Sequence, residues 1–275
     1  MNMIRAAAVQ MDIAIGENDA NRARVLTKLD EAADNGATLV VFPECALSGY
    51  CFESLADARP FAETPDTTAG AFVERCRARR VTGVVGFLEL DGSACHNSAV
   101  IATPDGNWFV YRKTHLPTLG IDRFVVPGDD LPVFRTPFGT LGVLICYDIR
   151  FSEAARTLAL LGADVIALPT NWPKGAESSP DFITRARAWE NRVFVVAANR
   201  VGVERGRPFI GRSQIVAPSG EILVEASRAD EVILYADLDL TQARQKRIVN
   251  EPGEWELDIT GDRRPELYSA LTQPT

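Results

Sequence analysis

Two rhythms alternate along the chain. Short apolar runs rich in β-branched residues predict strands over residues 6–13, 38–42, 82–89, 97–103, 108–113, 142–147, 164–168, 192–199, 213–217 and 231–238. Leu39-Val40-Val41-Phe42 and Val165-Ile166-Ala167-Leu168 are apolar at every position, the pattern of strands covered on both faces. Between them, apolar residues recur at helical spacing. Asn18 or Asp19 caps a helix whose buried face would be Ala23, Leu26, Leu29 and Ala33, and Gly36 ends it. Ser152 is a suitable N-cap for a helix over 153–161, stopped by Gly162. Ser179-Pro180 opens a third helix, with Pro180 at its first position and Phe182, Ile183, Ala186 and Trp189 inward. Pro104-Asp105-Gly106 and Pro218-Ser219-Gly220 each separate two strands and predict hairpins.

Strands and helices interleave, hairpins are frequent, and no GxGxxG or GxxxxGK[ST] loop is present. The pattern predicts an α/β layered sandwich with mixed sheets and not a nucleotide-binding, doubly wound fold. No linker-like stretch divides the chain, so residues 1–275 are expected to form one domain, with an irregular tail from about Gly253.

Composition narrows the function classes. Hydrophobic residues make up 46% and charged residues 24%, the balance of a soluble globular protein. The net charge of −8 offers no basic footprint for nucleic acid or an anionic membrane. No segment approaches the roughly 20 apolar residues of a spanning helix, and the first ten residues lack the features of a secretory leader. Cys45, Cys51, Cys76, Cys95 and Cys146 are odd in number and scattered, without zinc spacing, so neither a disulfide framework nor a metal site is expected. A reducing cytoplasm is the expected location.

Three stretches place one reactive residue each at a strand end: Val41-Phe42-Pro43-Glu44, Val110-Tyr111-Arg112-Lys113 and Gly142-Val143-Leu144-Ile145-Cys146. Strand ends let a rigid scaffold aim side chains into one crevice. A free thiol, with a pKa of about 8.5, needs a base before it attacks, and a carboxylate can take that proton and return it to a leaving amine. An ammonium and a backbone N–H can hold the oxyanion, each such donor contributing ~3 kcal/mol. Taken one at a time, a cysteine closing an apolar strand is more often packing, and Glu44 or Lys113 more often a solvated side chain.

The ordered set says more. Phe42-Pro43-Glu44, Tyr111-Arg112-Lys113-Thr114-His115-Leu116 and Cys146-Tyr147-Asp148-Ile149-Arg150-Phe151 resemble the three signature blocks of the nitrilase superfamily. The likeness continues through Leu47-Ser48-Gly49-Tyr50, Arg185-Ala186-Arg187-Ala188-Trp189-Glu190-Asn191 and Ala198-Asn199-Arg200, to Asp262-Arg263-Arg264-Pro265-Glu266-Leu267-Tyr268. It implies a four-layer αββα sandwich, Glu44 as general base and acid, Lys113 as oxyanion stabiliser, Cys146 as nucleophile and the Tyr147 N–H as a second oxyanion donor. It also implies a homodimer or larger homo-oligomer, and neither a metal nor an organic cofactor. Many members carry a second glutamate before the Pro-Gly found here as Pro127-Gly128. This chain has none in that stretch, and Asp122 is its nearest carboxylate.

By the same resemblance, Cys146-Tyr147-Asp148 favours a small amide or N-carbamoyl substrate over a nitrile. Tyr50, Phe52, Asn171 and Trp172 are expected around the substrate, and the acyl group is left open. A papain-like reading would need His96 or His115 as base, and neither has a protease signature around it. A reading from another class is a silent binding protein on the same scaffold.

Overall fold

The structure, a computed structural model, describes residues 2–273. In chain order the first half holds β1 (Met3–Gln10), α1 (Asn18–Asp34), β2 (Leu39–Val41), α2 (Leu55–Ala58), α3 (Pro65–Arg79), β3 (Thr82–Asp91), β4 (Ala94–Ala102) and β5 (Trp108–Arg112). Next come β6 (Val133–Thr136), β7 (Gly139–Val143), α4 (Ser152–Leu160), β8 (Val165–Pro169), α5 (Thr184–Asn191) and β9 (Phe194–Ala198). The chain continues through β10 (Val203–Glu204), β11 (Arg207–Pro208), β12 (Gln214–Val216), β13 (Ile222–Glu225) and β14 (Val232–Asp239). It closes with α6 (Thr241–Arg244), β15 (Arg247–Glu251) and β16 (Trp255–Asp258).

Two six-stranded mixed sheets form, in the orders β14-β1-β2-β3-β4-β5 and β13-β12-β9-β8-β7-β6. Each has three parallel strands at its centre (β1, β2, β3 and β9, β8, β7) and antiparallel strands outside. The sheets face each other over one apolar interior that joins Ala6, Leu39 and Val41 of the first to Leu141, Val143 and Val196 of the second. On the outer face of the first sheet, α1 and α3 bury Val25, Leu29, Phe72 and Val73 against Ala7, Val9 and Val40. Ala154, Ala155 and Leu158 of α4 and Ala188 of α5 bury against the second sheet. The architecture is therefore the four-layer αββα sandwich. It also explains the unbroken apolar run of β2, because Leu39 and Val41 enter the inter-sheet interior while Val40 faces the helices.

Several local expectations shift. Helix α1 buries Asn21, Val25, Leu29 and Ala32, whereas Ala23 is exposed. Its face turns because the Asn21 amide donates to the carbonyls of Ala14 and Leu47 at 2.7 and 2.8 Å and so belongs inside. Ser152 is the first residue within α4 and not its cap, and its hydroxyl bonds Glu153 instead. The third helix begins with a wide π turn, Ser179–Ile183. The extra residue in that turn rotates α5, so Thr184, Ala188 and Asn191 point inward while Phe182, Ala186 and Trp189 are exposed. Helix α3 and strands β6 and β13 have no counterpart among the predicted elements, although the Pro218-Ser219-Gly220 turn does join β12 to β13. The tail expected to be irregular from Gly253 carries β16, paired with β15. Among the described residues, no helix is long and apolar enough to cross a membrane.

Candidate active site

Glu44 stands three residues beyond β2, and Lys113 follows β5 directly. Cys146 lies three residues beyond β7 and opens a short 3₁₀ turn, Cys146–Arg150, so the predicted strand over 142–147 stops early, at Val143. Its φ is +47°, a left-handed conformation that a side chain rarely adopts. The turn aims the thiol out of the strand, and the N–H groups of Cys146 and Tyr147 precede any acceptor within it.

Lys113 is not a surface lysine. It is fully buried between two carboxylates, with Nζ 2.7 Å from Glu44 Oε1 and 2.6 Å from Asp122 Oδ2. Asn97 ties the same two acids together, its amide donating to Glu44 Oε1 at 2.7 Å and Asp122 Oδ1 at 2.8 Å. The Tyr50 hydroxyl donates to Asp122 Oδ2 at 2.7 Å. Asp122 therefore belongs to the cluster, reaching Lys113 from the short 3₁₀ turn Gly120–Arg123. Glu44 Oε2 is buried and has no hydrogen-bond partner among the described residues.

Burial raises the Glu44 carboxyl above the ordinary glutamate value, against the pull of Lys113. Burial alone would lower the Lys113 ammonium, but Asp122 first and Glu44 second outweigh it and hold it well above the usual lysine range. The Cys146 thiol is pushed up to about 12 by burial and then by the Glu44 charge, with Lys113, Thr170 and the Asn171 N–H opposing. At rest the site thus holds a neutral thiol beside a preformed ion pair.

A cavity of about 260 Å³ opens over Cys146, walled by Tyr50, Leu119, Tyr147, Trp172 and Pro173, with Arg150 and Lys174 also lining it. A family model for carbon–nitrogen hydrolases matches residues 5–248.

The chain belongs to that family, the nitrilase superfamily.

It is 41% identical over 271 residues to a nitrilase of Pyrococcus abyssi, covering 97% of this chain and 99% of the relative. It is 38% identical over 270 residues to an (R)-stereoselective amidase of Pseudomonas sp., covering 96% and 93%. Among solved structures it superposes, with a TM-score of 0.83 and 27% identity, on a mutant amidase from Nesterenkonia sp. AN1, over 96% and 95% of the two chains. That structure shows the acetamide moiety of fluoroacetamide added covalently at the active-site cysteine.

Within this frame the three strand-end residues converge as a set: Glu44 contacts Lys113, and both bear electrostatically on the Cys146 thiol. Tyr50, Tyr147 and Trp172 line the cavity. Asn171 and Phe52 do not. Asn171 is buried behind the site, donating to the Glu44 carbonyl at 2.9 Å, and Phe52 is buried in a stack with Phe61. Both histidines are engaged elsewhere: His96 Nδ1 lies 2.8 Å from the Val126 carbonyl, and His115 Nδ1 lies 2.8 Å from Asp148.

Four supporting residues gain their roles only from the structure. Asn97 is one of them. Asp148, fully buried, accepts from Tyr111 Oη at 2.8 Å and the Ile145 N–H at 2.9 Å, which fixes the turn carrying the nucleophile. Glu204, held by buried Arg200 at 2.6 Å, accepts the N–H groups of Tyr50 and Cys51 and fixes that wall. Asn199 accepts the Trp172 backbone N–H at 2.8 Å and fixes the opposite one. Asp148 and Asn199 lie within stretches that resemble the family, whereas Asn97 and Glu204 lie outside them.

Proposed function

We propose that this enzyme hydrolyses a small linear amide through a Cys146 acyl-enzyme, releasing ammonia and a carboxylic acid. The observation that carries this reading is the free Oε2 of Glu44 beside a locked Oε1, in the same site as a neutral thiol. As Cys146 Sγ bonds to the amide carbon, Glu44 takes the thiol proton. The oxyanion that forms lies against Lys113, which has one N–H left after Glu44 and Asp122 are served, and against the Tyr147 N–H. Glu44 then gives its proton to the amide nitrogen, ammonia leaves, and a thioester remains. Water, deprotonated by Glu44, attacks that thioester, and the acid departs as Cys146 recovers its proton. The adduct in the Nesterenkonia amidase supports the covalent step, and the Pseudomonas relative supports an amide substrate.

An ammonia-release screen over aliphatic amides, N-carbamoyl compounds and nitriles tests the reading, with intact mass recorded on Cys146. Amide turnover with an acyl adduct on Cys146 is expected. A nitrile-only profile, which the Pyrococcus relative's name would favour, overturns the amide assignment. Failure of every acyl donor to label Cys146 would leave a silent binding protein.

The shared inter-sheet interior supports one domain for the chain. Exposed Leu160, Leu161, Phe182 and Trp189 around α4 and α5 support a homo-oligomer, which light scattering would test by a mass of twice 30.0 kDa or more. Five free, buried cysteines support a reducing compartment, the cytoplasm.

A further inference from the structure

The register of the second sheet brings one further side chain beside the nucleophile. Strands β7 and β8 run parallel, pairing Leu141 with Val165, Gly142 with Ile166 and Val143 with Ala167. Carried on at the same offset, that register sets Cys146 level with Thr170, the residue after β8. Thr170 is fully buried, and its Oγ1 has no hydrogen-bond partner among the described residues. The backbone around it is pinned. The Thr170 N–H donates to the Ala198 carbonyl at 3.0 Å, the Asn171 amide to the Glu44 carbonyl at 2.9 Å, and the Trp172 backbone N–H to Asn199 at 2.8 Å. Held there, the Thr170 hydroxyl and the Asn171 N–H lie close enough to the Cys146 sulfur to favour its anion.

A valine of the same shape would fill this position without leaving a buried hydroxyl unmatched, so packing does not account for the threonine. The reaction supplies the missing partner. A protonated thiol or a thioester sulfur is a weak acceptor, whereas a thiolate is a strong one. We propose that Thr170 is a catalytic residue whose hydroxyl donates a hydrogen bond to the Cys146 thiolate at the two points where that anion forms. The first follows transfer of the thiol proton to Glu44, before the sulfur bonds to the amide carbon. The second comes at deacylation, when the carbon–sulfur bond breaks and its electron pair returns to sulfur, until Glu44 gives the proton back. Thr170 keeps its own proton throughout. Because the bond is made to the anion and not to the substrate, it lowers both barriers without contributing to substrate binding. The inference rests on the acyl-enzyme reading above and adds a group that acts on the reacting sulfur.

Thr170→Val removes the hydroxyl and keeps the shape, and Thr170→Ser keeps the hydroxyl. Iodoacetamide, whose iodide the thiolate displaces, reads the anion without any amide turnover, and peptide mapping locates the label. In Thr170→Val, alkylation of Cys146 at neutral pH is expected to slow by about tenfold to a hundredfold, the scale of one hydrogen bond to a charged group. Ammonia release should fall by a similar factor in kcat with KM little changed, and the urea midpoint should hold or rise. Thr170→Ser should restore most of both rates. Wild-type alkylation and kcat in Thr170→Val overturn the proposal. Equal losses in the Val and Ser variants, matched by a fall in the urea midpoint, also overturn it and leave a packing role. Failure of iodoacetamide to label Cys146 at any pH overturns both this inference and the reading beneath it. Slowed alkylation in Thr170→Val, with no amide ever acylating Cys146, sinks the acyl-enzyme reading alone and leaves the thiolate hydrogen bond standing.

Discussion

The turn after β2 lies on one sheet and the turn after β7 on the other, and the two share one backbone feature. Each carries a cysteine at φ +47°, Cys45 in one and Cys146 in the other. The first presents a carboxylate and hides its thiol: Glu44 faces Lys113, while Cys45 is sealed at 0% exposure with its thiol far above the usual range. The second presents its thiol and hides a carboxylate, since Cys146 borders the cavity while Asp148 is fully buried beneath it. The difference shows that neither a cysteine nor a strained backbone makes a nucleophile. What matters is which side chain the turn sends toward the space between the sheets.

The largest separation between the two turns is expected from the cysteines themselves. Cys146→Ala should lower turnover by at least ~10⁴-fold with the fold intact, whereas Cys45→Ala should cost less than about tenfold, measured by ammonia release. Comparable losses in both would break the distinction. Lys113→Met comes next, because it strands two buried acids. A fall in turnover of ~10³-fold is expected, together with a loss of roughly 3–5 kcal/mol in urea unfolding. A stable but inactive variant would show that the ion pair does not hold the first turn.

Glycines beneath the two turns offer a finer test. A Cβ on Gly86 would stand 2.6 Å from the Cys45 N and the Pro43 O and 2.7 Å from the Glu44 Cα, all main-chain atoms. A Cβ on Gly142 would meet only the Leu158 side chain, at 2.9 Å from its Cδ1. Gly86→Ala should therefore cost about 2–3 kcal/mol and lower kcat at least tenfold, and Gly142→Ala about 1 kcal/mol with little change in kcat. The reverse order would mean that the β7 turn is the more tightly held.

The smallest expected effect is on pH dependence. Burial raises Glu44, and its ionised form is the base, so kcat/KM should fall as pH drops through a value above the ordinary glutamate 4.5. The Asp122 charge also raises Glu44, so Asp122→Asn should move this acid limb to lower pH while weakening Lys113. An unmoved limb would mean that Asp122 acts on the site by packing alone.

Much of the fold is legible in the sequence because apolar runs and turn residues are local signals. The β2 run, the Pro104-Asp105-Gly106 hairpin and the three strand-end residues all stand where the pattern puts them. Helix α3 escapes notice although Ala69, Phe72, Val73 and Cys76 have helical spacing, because Arg75, Arg77 and Arg79 and the acids Asp66 and Glu74 dominate the stretch. The wide turn before α5 is equally hidden. One extra residue reverses which face is apolar, and no residue type announces it.

By itself, then, the sequence determined a layered α/β chain with a carboxylate, an ammonium and a thiol at three strand ends, since each depends on near neighbours. Only the tertiary structure decided that Lys113 is shared between Glu44 and Asp122, that Asn97 locks one Glu44 oxygen and leaves the other free, and that Arg150 and Lys174 line one cavity. These contacts join residues up to 69 positions apart across different strands and turns. Their energies come from charges and donors enclosed together at low dielectric, and no local pattern encodes that enclosure.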